Sequence, residues 1–373
     1  MAHRNRLSPL ILLVVLLFGL SIAPSRSLAQ ADYGGYQHPL SEADLTQYAE
    51  IVAFDEAQRA AALDLHAASM AEFKRIAGDA ARRQRAIAEK HRNDWTRDAY
   101  REYYAVSRET QSQLARIERS LLSEVQMLLS SEQLDRWPKA ERKRRRERSG
   151  DFANLSSERV DLTKLVKTAE LTPDELAKAA ILLDQYEIEL DSAIIRRNSL
   201  REGFNTFTQD MYDRYDHSLA AERFEPVRSA GLRVRDINRR YARLIAAELP
   251  DERAAKFMQA FKRECFPNVY WEAQAHESMK AAAALENLDD SQKELLAALD
   301  ETFKRELKSA NDALETATDR YESTTPIARM WNGEDDPALA AARKRRYDLE
   351  QTITSRLSRI LTPEQFDKLP RNE

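Results

Sequence analysis

Histidine and neighbouring ligand side chains are the groups through which this chain could bind a metal. Beyond the first 31 residues the histidines are His38, His66, His91, His217 and His276. No two stand three or four positions apart, the spacing that lets two ligands share one helix face. Pairs with a second ligand type at that spacing are His276 with Glu272, His217 with Asp213 and, for a soft copper ion, His66 with Met70. Residues at this spacing more often form ion pairs or remain solvated than bind a metal. We therefore predict no metal site and no cofactor.

Motifs for catalysis are missing from the sequence. There is no Gly-x-Ser-x-Gly elbow and no Gly-rich phosphate loop, and the run from His276 to Lys280 lacks the second histidine of a His-Glu-x-x-His zinc site. The single cysteine, Cys265, has no partner for a disulfide within the chain. We expect it to be a small buried apolar residue, whereas an exposed thiol would link two chains. We therefore predict that the protein is not an enzyme.

Two aromatic clusters are the candidates for binding other proteins. The first comprises Trp95, Tyr100, Tyr103 and Tyr104, and the second comprises Phe204, Phe207, Met211 and Tyr215. Such residues at helical spacing usually form a core. A surface that binds varied protein clients uses the same residue types, including flexible methionine. The sequence leaves both interpretations open.

A strongly basic stretch runs from Lys139 to Arg148. Its ordinary interpretation is a solvated helix end or linker, in which Glu141 and Glu147 reduce the repulsion. The alternative is a contact for an acidic partner such as anionic lipid head groups or an acidic chain. The residues that would make this contact are Arg142, Lys143, Arg144, Arg145 and Arg146.

The first 31 residues have the three parts of a secretory signal. Arg4 and Arg6 precede an apolar stretch from Leu10 to Leu20, and cleavage is expected after Ala29 or Ala31. The stretch is shorter than the about 20 apolar residues that span a bilayer. We expect an exported, periplasmic protein without a transmembrane segment. Export also argues against nucleic acid as the partner of the basic stretch.

Long helices are the elements that must position these side chains. Residues 79–137 and 268–325 contain neither Pro nor Gly, and the whole chain has only eight Gly and 32% charged residues. From Leu176 to Ile194, apolar residues recur at steps of three and four, interrupted only by Glu187. This spacing forms one stripe on a helix, which must bury against another helix. We predict an all-α fold of long antiparallel helical hairpins.

A short phrase that begins with Leu recurs along the chain. The copies run from Leu129 to Gln133, from Leu171 through Thr172 to Glu175, from Leu288 to Gln292, and from Leu361 through Thr362 to Gln365. The second residue is a good N-cap, and the Glu or Gln three positions later closes a capping box. Weaker copies start at Leu40 and at Leu249, where Pro250 has no capping side chain. Each phrase predicts a helix start.

The phrases divide the chain into three related helical modules in tandem. The opening phrases begin at Leu40, Leu171 and Leu288, and the closing phrases begin at Leu129, Leu249 and Leu361. Recurrent segments of this kind predict repeated supersecondary units. The predicted divisions are a signal peptide at 1–31, module 1 at 32–138, a basic linker or helix at 139–165, module 2 at 166–267 and module 3 at 268–373.

The capping phrases, the charged hairpins and the export signal together resemble the LTxxQ-motif family. This is the Spy and CpxP group of periplasmic proteins, with the metal-responsive ZraP and CnrX branches; only Leu361 to Gln365 matches the motif fully. The resemblance implies coiled-coil modules without catalytic chemistry that pair into a cradle, as homo-oligomers in the one-module members. It also implies binding of unfolded or envelope proteins, as an ATP-independent chaperone or stress-response protein. The alternatives are a metal-responsive periplasmic protein and a structural, scaffolding helical protein.

Overall fold

The computed structural model describes residues 36, 38, 40–149, 155–210, 216–270, 274–334 and 336–370. Within these ranges every regular element is a helix and no strand occurs, which confirms the predicted all-α class. None of the helices in the described ranges is long and apolar enough to cross a membrane. The signal peptide, Met211 and Tyr215 lie outside the described residues.

The chain divides into two compact units, Met1–Arg144 and Arg145–Glu373. The division falls inside helix α4, which begins in the first unit. Pro138 also lies inside this helix, where it cannot donate a backbone hydrogen bond. The helices that begin in the first unit are α1 (Glu42–Val52), α2 (Glu56–Lys90), α3 (Arg97–Met127) and α4 (Ser131–Ser149).

Helices α2 and α3 pack side by side and run in opposite directions. Arg83 pairs with Glu109 at 2.9 Å and Lys90 pairs with Glu102 at 3.1 Å, so the end of α2 lies beside the start of α3. Apolar residues buried between the two helices include Phe73, Ile76, Ala77 and Leu114. Burial of this stripe stabilises the pair, because isolated helices are only marginally stable in water.

The second unit contains two further antiparallel pairs of long helices. Its elements are α5 (Leu162–Thr168), α6 (Pro173–Asp210), α7 (His217–Ala247), α8 (Asp251–Cys265), α9 (Pro267–Tyr270), α10 (Gln274–Ala283), α11 (Asp290–Thr324), α12 (Ile327–Trp331), α13 (Pro337–Ile360) and α14 (Pro363–Phe366). Tyr186 of α6 donates to Asn238 of α7 at 2.9 Å. Arg320, late in α11, pairs with Asp336 just before α13 at 2.7 Å. That the three helix pairs are copies of one module stays a prediction.

The second unit is built around two apolar cores. Tyr186, Ile194 and Ile245 are fully buried in the core of the α6 and α7 pair, and Phe303 and Ile353 are fully buried between α11 and α13. Cys265 is a free, buried thiol in the first of these cores, which confirms the expected burial. Loss of hydration raises the pKa of this thiol to about 12, so it stays protonated at neutral pH.

Candidate functional site

A reciprocal pair of glutamines joins the start of α2 to the start of α4. Gln58 Nε2 donates to the Leu128 carbonyl at 2.7 Å, and Gln133 Nε2 donates to the Ala53 carbonyl at 2.9 Å. The two carboxamides also hydrogen-bond each other at 2.8 Å in both directions. Each Oε1 accepts the amide N–H of its own N-cap residue, Asp55 or Ser130. One side chain therefore caps its helix and joins it to a second helix; we call this arrangement a glutamine clasp.

A second glutamine clasp joins the start of α11 to the start of α14. Gln292 Nε2 donates to the Ile360 carbonyl at 2.9 Å, and Gln365 Nε2 donates to the Asn287 carbonyl at 2.9 Å. Gln292 Nε2 also donates to Gln365 Oε1 at 2.9 Å, and Gln365 Nε2 donates to Gln292 Oε1 at 3.3 Å. Both glutamines also close capping boxes, so the phrases at Leu288 and Leu361 each begin a helix.

An ion pair occupies the corresponding place at the α6 and α7 pair. Glu175, in the phrase that starts at Leu171, pairs with Arg253 at the start of α8. Glu175 also accepts the Thr172 amide N–H at 2.8 Å, while Pro250 makes no side-chain cap. The hydrogen bond from Thr172 and then that from Arg253 lower the pKa of Glu175. This helix pair is thus joined by a charged pair, whereas the other two helix pairs are joined by two carboxamides.

One partner in the first clasp, Gln58, was not predicted from the sequence. The phrase at Leu40 starts α1 with a Ser41 capping box, but the clasp residue is Gln58, in a phrase that begins with Phe54. Its signal in the sequence was Asp55 followed three residues later by glutamine. The linked residues are separated by 75, 78 and 73 positions in the three pairs, so their spacing is nearly constant.

The first aromatic cluster lies at the turn between α2 and α3, and all four predicted members meet there. The Trp95 ring is 5.0 Å from that of Tyr100 and 5.8 Å from that of Tyr103, which lies 5.9 Å from Tyr104. All four side chains are partly exposed. His91 adds a fifth ring at 6.4 Å from Trp95. Partial burial raises the pKa values of the Tyr103 and Tyr104 hydroxyls.

The second aromatic cluster lies where α6 ends and α7 begins. Phe204 is nearly buried, 4.9 Å from Phe224 and 6.5 Å from the partly exposed Phe207. Trp331 of α12 lies 5.3 Å from Phe224, so the connection between α11 and α13 completes the cluster. The Arg223 guanidinium covers the Phe207 ring at 5.5 Å. Sequence reasoning missed Phe224 and Trp331, since local spacing carries no signal that Trp331 joins residues so far away in the chain.

The basic stretch on α4 contacts acidic groups of its own chain. Arg145 makes two hydrogen bonds to Asp191, at 2.6 Å and 2.9 Å. Arg146 lies 3.0 Å from Asp161 and 3.2 Å from Glu187, and its side chain is only 6% exposed. The expected solvated helix end is therefore wrong at these positions. The reason is that the neutralising carboxylates lie on other segments, where sequence spacing does not reveal them.

The other three predicted contact residues, Arg142, Lys143 and Arg144, lie in the first unit and are half-buried. Arg144 pairs with Glu118 of α3, and Lys143 donates to Gln47 of α1. Arg142 lies on the same helix and is half-buried as well. These contacts leave the proposed acidic-partner residues turned largely toward their own chain.

Among the described residues, no group of three or more His, Cys, Asp or Glu side chains could hold a metal ion. Glu272 and Asp213, which the sequence places beside His276 and His217, lie outside the described residues. His66 is buried, with Nε2 at 2.9 Å from the Leu40 carbonyl, and its ring lies 5.0 Å from that of His38. The contacts of His66 are those of a packed core histidine.

The helix pairs, the clasps and the aromatic clusters define an all-α protein whose distinctive side chains lie at the ends of paired helices. In each of the first two pairs, the linking side chains lie at one end and the aromatic cluster lies at the other. Comparison with known proteins found no matching family, no matching curated protein and no matching solved structure.

Proposed function

We propose that this chain is an exported, non-enzymatic helical protein of the Spy and CpxP type that binds unfolded or envelope proteins without ATP. The observation that carries the proposal is the pair of partly exposed aromatic clusters at the turn ends of two helix pairs. Aromatic rings supply large apolar contact area, and an exposed apolar patch on a soluble protein marks an interaction site. Unfolded segments expose the apolar side chains that such rings can cover.

The surroundings of the first cluster suit transient binding. Lys90 and Glu102, and Asp98 and Arg101, form exposed ion pairs around the rings. Exposed pairs of this kind contribute little to stability, but they keep the surface hydrated. A client segment therefore finds apolar rings within a charged margin, which limits association of the clusters with one another.

The positions of the linking side chains are a second argument for the proposed kinship with the LTxxQ family. In all three helix pairs, one linking residue lies at the start of the first helix and the other lies just beyond the second. Five of these six residues lie in the recurrent phrases, and the sixth, Gln58, lies in the related phrase that begins with Phe54. The substitution of Glu175 and Arg253 for two glutamines keeps a contact between the same two places.

The experiment is aggregation of denatured clients in the presence of the mature chain. We expect an equimolar amount, without nucleotide, to reduce light scattering by at least half for several unrelated clients. Combined Trp95→Ser and Tyr100→Ser substitutions, and separately Phe207→Ser, should each reduce this suppression at least twofold. Tyr347→Ser is the matched control, because Tyr347 is 64% exposed on α13, outside both clusters. Circular dichroism must show unchanged helix content in every variant.

Two results would replace this proposal. If no client is protected and zinc, copper or nickel gives a saturable calorimetric signal at micromolar concentration, the protein is a metal-responsive one. If neither assay responds and one protein co-purifies in fixed ratio, the chain is a structural scaffold. Equal protection by the cluster variants and by wild type would remove the aromatic clusters from the client-binding surface.

A further inference from the structure

The turn end of the first helix pair carries an excess of positive charge. From Glu72 to Arg119 the chain forms the later half of α2, the turn and most of α3, and we call this part the cationic segment. It contains twelve Lys or Arg residues against eight Asp or Glu residues. Its net charge is therefore +4, whereas the formal net charge of the whole chain is −4.

Most acids of the cationic segment already have a partner. The acids that form ion pairs are Glu72, Asp79, Asp98, Glu102, Glu109 and Glu118. The exposed Glu89 and Asp94 pair with no residue that the structure describes.

Six exposed cations of the segment also form no ion pair or side-chain hydrogen bond with a described residue. These unpaired cations are Lys74, Arg85, Arg92, Arg108, Arg116 and Arg119. They outnumber the unpaired acids by three to one. The excess charge is therefore available to a partner outside the chain.

The unpaired cations of α2 lie opposite to its ion pairs with α3. At 3.6 residues per turn, Lys74 and Arg85 lie within roughly 20° of each other around the helix axis. They lie roughly 140 to 180° from Arg83 and Lys90, which pair with α3. Glu89, one turn beyond Arg85, is the nearest acid of the segment on α2. The residues between the two cations on this side are small: Gly78 and Ala81.

The spacing of these cations suits an extended anionic surface. Lys74 and Arg85 are eleven residues apart on α2, and Arg108 and Arg119 are eleven residues apart on α3. This spacing places the α-carbons of each pair about 16 Å apart. Side chains spread over this distance on two helices contact many separate anions at once, whereas a single small anion engages few of them.

Aromatic rings lie at the turn end of the same segment. Trp95, Tyr100, Tyr103 and Tyr104 are partly exposed there, and the unpaired Arg92 precedes Trp95 by three residues. Trp and Tyr combine an apolar ring with a polar group, and they concentrate where the head groups of a bilayer meet its hydrocarbon. An anionic lipid surface offers both negative charges and an apolar layer, whereas an acidic polypeptide need offer only the charges.

We propose that the cationic segment docks on the surface of an anionic lipid bilayer. Its unpaired cations meet the negative head groups, while Trp95 and Tyr100 enter the head-group layer. The basic stretch on α4 is not the contact, because Arg144 and Arg145 pair with acids of their own chain. The proposal does not rest on client binding, and the vesicle assay that tests it contains no client.

Sedimentation of the mature chain with lipid vesicles tests the proposal. We expect binding to vesicles of phosphatidylcholine and phosphatidylglycerol in equal parts, and none to vesicles of phosphatidylcholine alone. Raising the salt concentration from about 0.1 to 1 M should weaken this binding at least tenfold, because the range of charge interactions falls from about 10 to about 3 Å. A chain that ignores the anionic vesicles at the lower salt concentration would overturn the proposal.

Two sets of substitutions distinguish the cationic segment from the overall charge of the chain. Combined Lys74→Gln, Arg85→Gln and Arg108→Gln should weaken binding at least tenfold, since each basic residue at such a surface contributes on the order of fivefold. The matched control removes the same charge from three paired cations, through Arg75→Gln, Arg82→Gln and Arg83→Gln, and should weaken binding less than threefold. Both sets are exposed, so circular dichroism should show unchanged helix content. Equal weakening by the two sets would mean attraction to overall charge and would refute the proposal.

Fluorescence quenching locates the rings. Lipids that carry a nitroxide near the head group should quench the tryptophan emission of the bound chain, and Trp95→Phe should remove most of this quenching. Quenching that persists unchanged in Trp95→Phe would place the cluster away from the bilayer, against the proposal. Polyglutamate that binds the chain as tightly as the anionic vesicles do would assign the cations to an acidic polypeptide instead.

Discussion

The carboxamide of a clasp glutamine has both a donor and an acceptor, and the structure uses both. In Gln365 the oxygen accepts the Thr362 amide N–H, and the nitrogen donates to the Asn287 carbonyl. Glutamine is the suitable residue because glutamate has no donor for the carbonyl of the second segment. This requirement explains why the fifth position of the phrase is glutamine at both clasps, whereas Glu175 and Arg253 form an ion pair where α6 and α8 start.

We predict that Gln365→Ala destabilises the third helix pair by about 1 to 3 kcal/mol. The substitution leaves the Asn287 carbonyl and the Gln292 carboxamide without their partner at a site where Gln365 is only 3% exposed. Urea unfolding followed by circular dichroism measures the change. Gln351→Ala, an exposed glutamine on α13, should change the midpoint by less than about 0.5 kcal/mol. Equal effects of the two substitutions would contradict a role for the clasp.

The ion pair of the middle helix pair should respond to acid where the clasps do not. The folded-state pKa of Glu175 lies below its usual value of 4.5. Its contribution to stability is therefore present above that value and is lost as pH falls through the lower folded-state pKa. The clasp glutamines do not titrate, so their contribution is independent of pH.

We predict that replacing both Glu175 and Arg253 with Gln removes this acid sensitivity. The double variant offers the same pair of side chains that links the other two helix pairs, while each single variant leaves one half unmatched. Thermal unfolding from neutral pH down to about pH 3 should show a smaller loss of stability in the double variant than in wild type. An unchanged pH profile would mean that the Glu175 and Arg253 pair contributes nothing in solution.

At the scale of elements, the acidic residue in the apolar stripe of α6 is explained by a second helix. Glu187 interrupts the stripe in the sequence, yet it is nearly buried because Arg146 of α4 lies 3.2 Å from it. Arg146 also contacts Asp161, so one guanidinium serves two carboxylates. Arginine suits this position because its planar group offers donors in several directions.

We predict that Arg146→Ala destabilises the second unit by about 3 to 5 kcal/mol, since it leaves two nearly buried carboxylates without their cation. Arg136→Ala, an exposed arginine on the same helix, is the matched control and should stay within about 0.5 kcal/mol of wild type. Denaturant unfolding measures both. If Arg146→Ala matched the control, the pair would not be formed in solution and α4 would be solvated, as its charge suggested.

At the scale of the whole molecule, the clusters and linking contacts occupy opposite ends of the first two helix pairs. Trp95 lies about a full helix length from Gln58. A substitution in the aromatic cluster should therefore leave the glutamine clasp of the same helix pair intact. The second cluster also draws Trp331 from another helix pair. We therefore expect the exposure of the rings in the second cluster to depend on how the α11 and α13 pair packs against α7.

Local sequence patterns were sufficient to predict the helices and the positions at which several of them begin. Long runs without Pro or Gly that are rich in Ala, Leu, Glu, Arg, Gln and Lys favour helix, and a capping residue with glutamate or glutamine three positions later marks a helix start through contacts within one turn. Both signals depend on residues that are close together in the chain, so they can be recognised from the sequence. The phrase at Phe54 contains the same capping pair, but it begins with Phe where the recurrent phrases begin with Leu.

The contacts between side chains of different segments became apparent from the packing of the helices. It paired Gln58 with Gln133, placed Trp331 beside Phe224, and set Arg146 between two carboxylates. It also showed that Ile181, Ile188 and Ile195 point away from the core, whereas the sequence shows apolar residues on every side of α6. These contacts arise from helix packing between residues distant in the chain, and no periodicity within one helix specifies the face that another helix will cover.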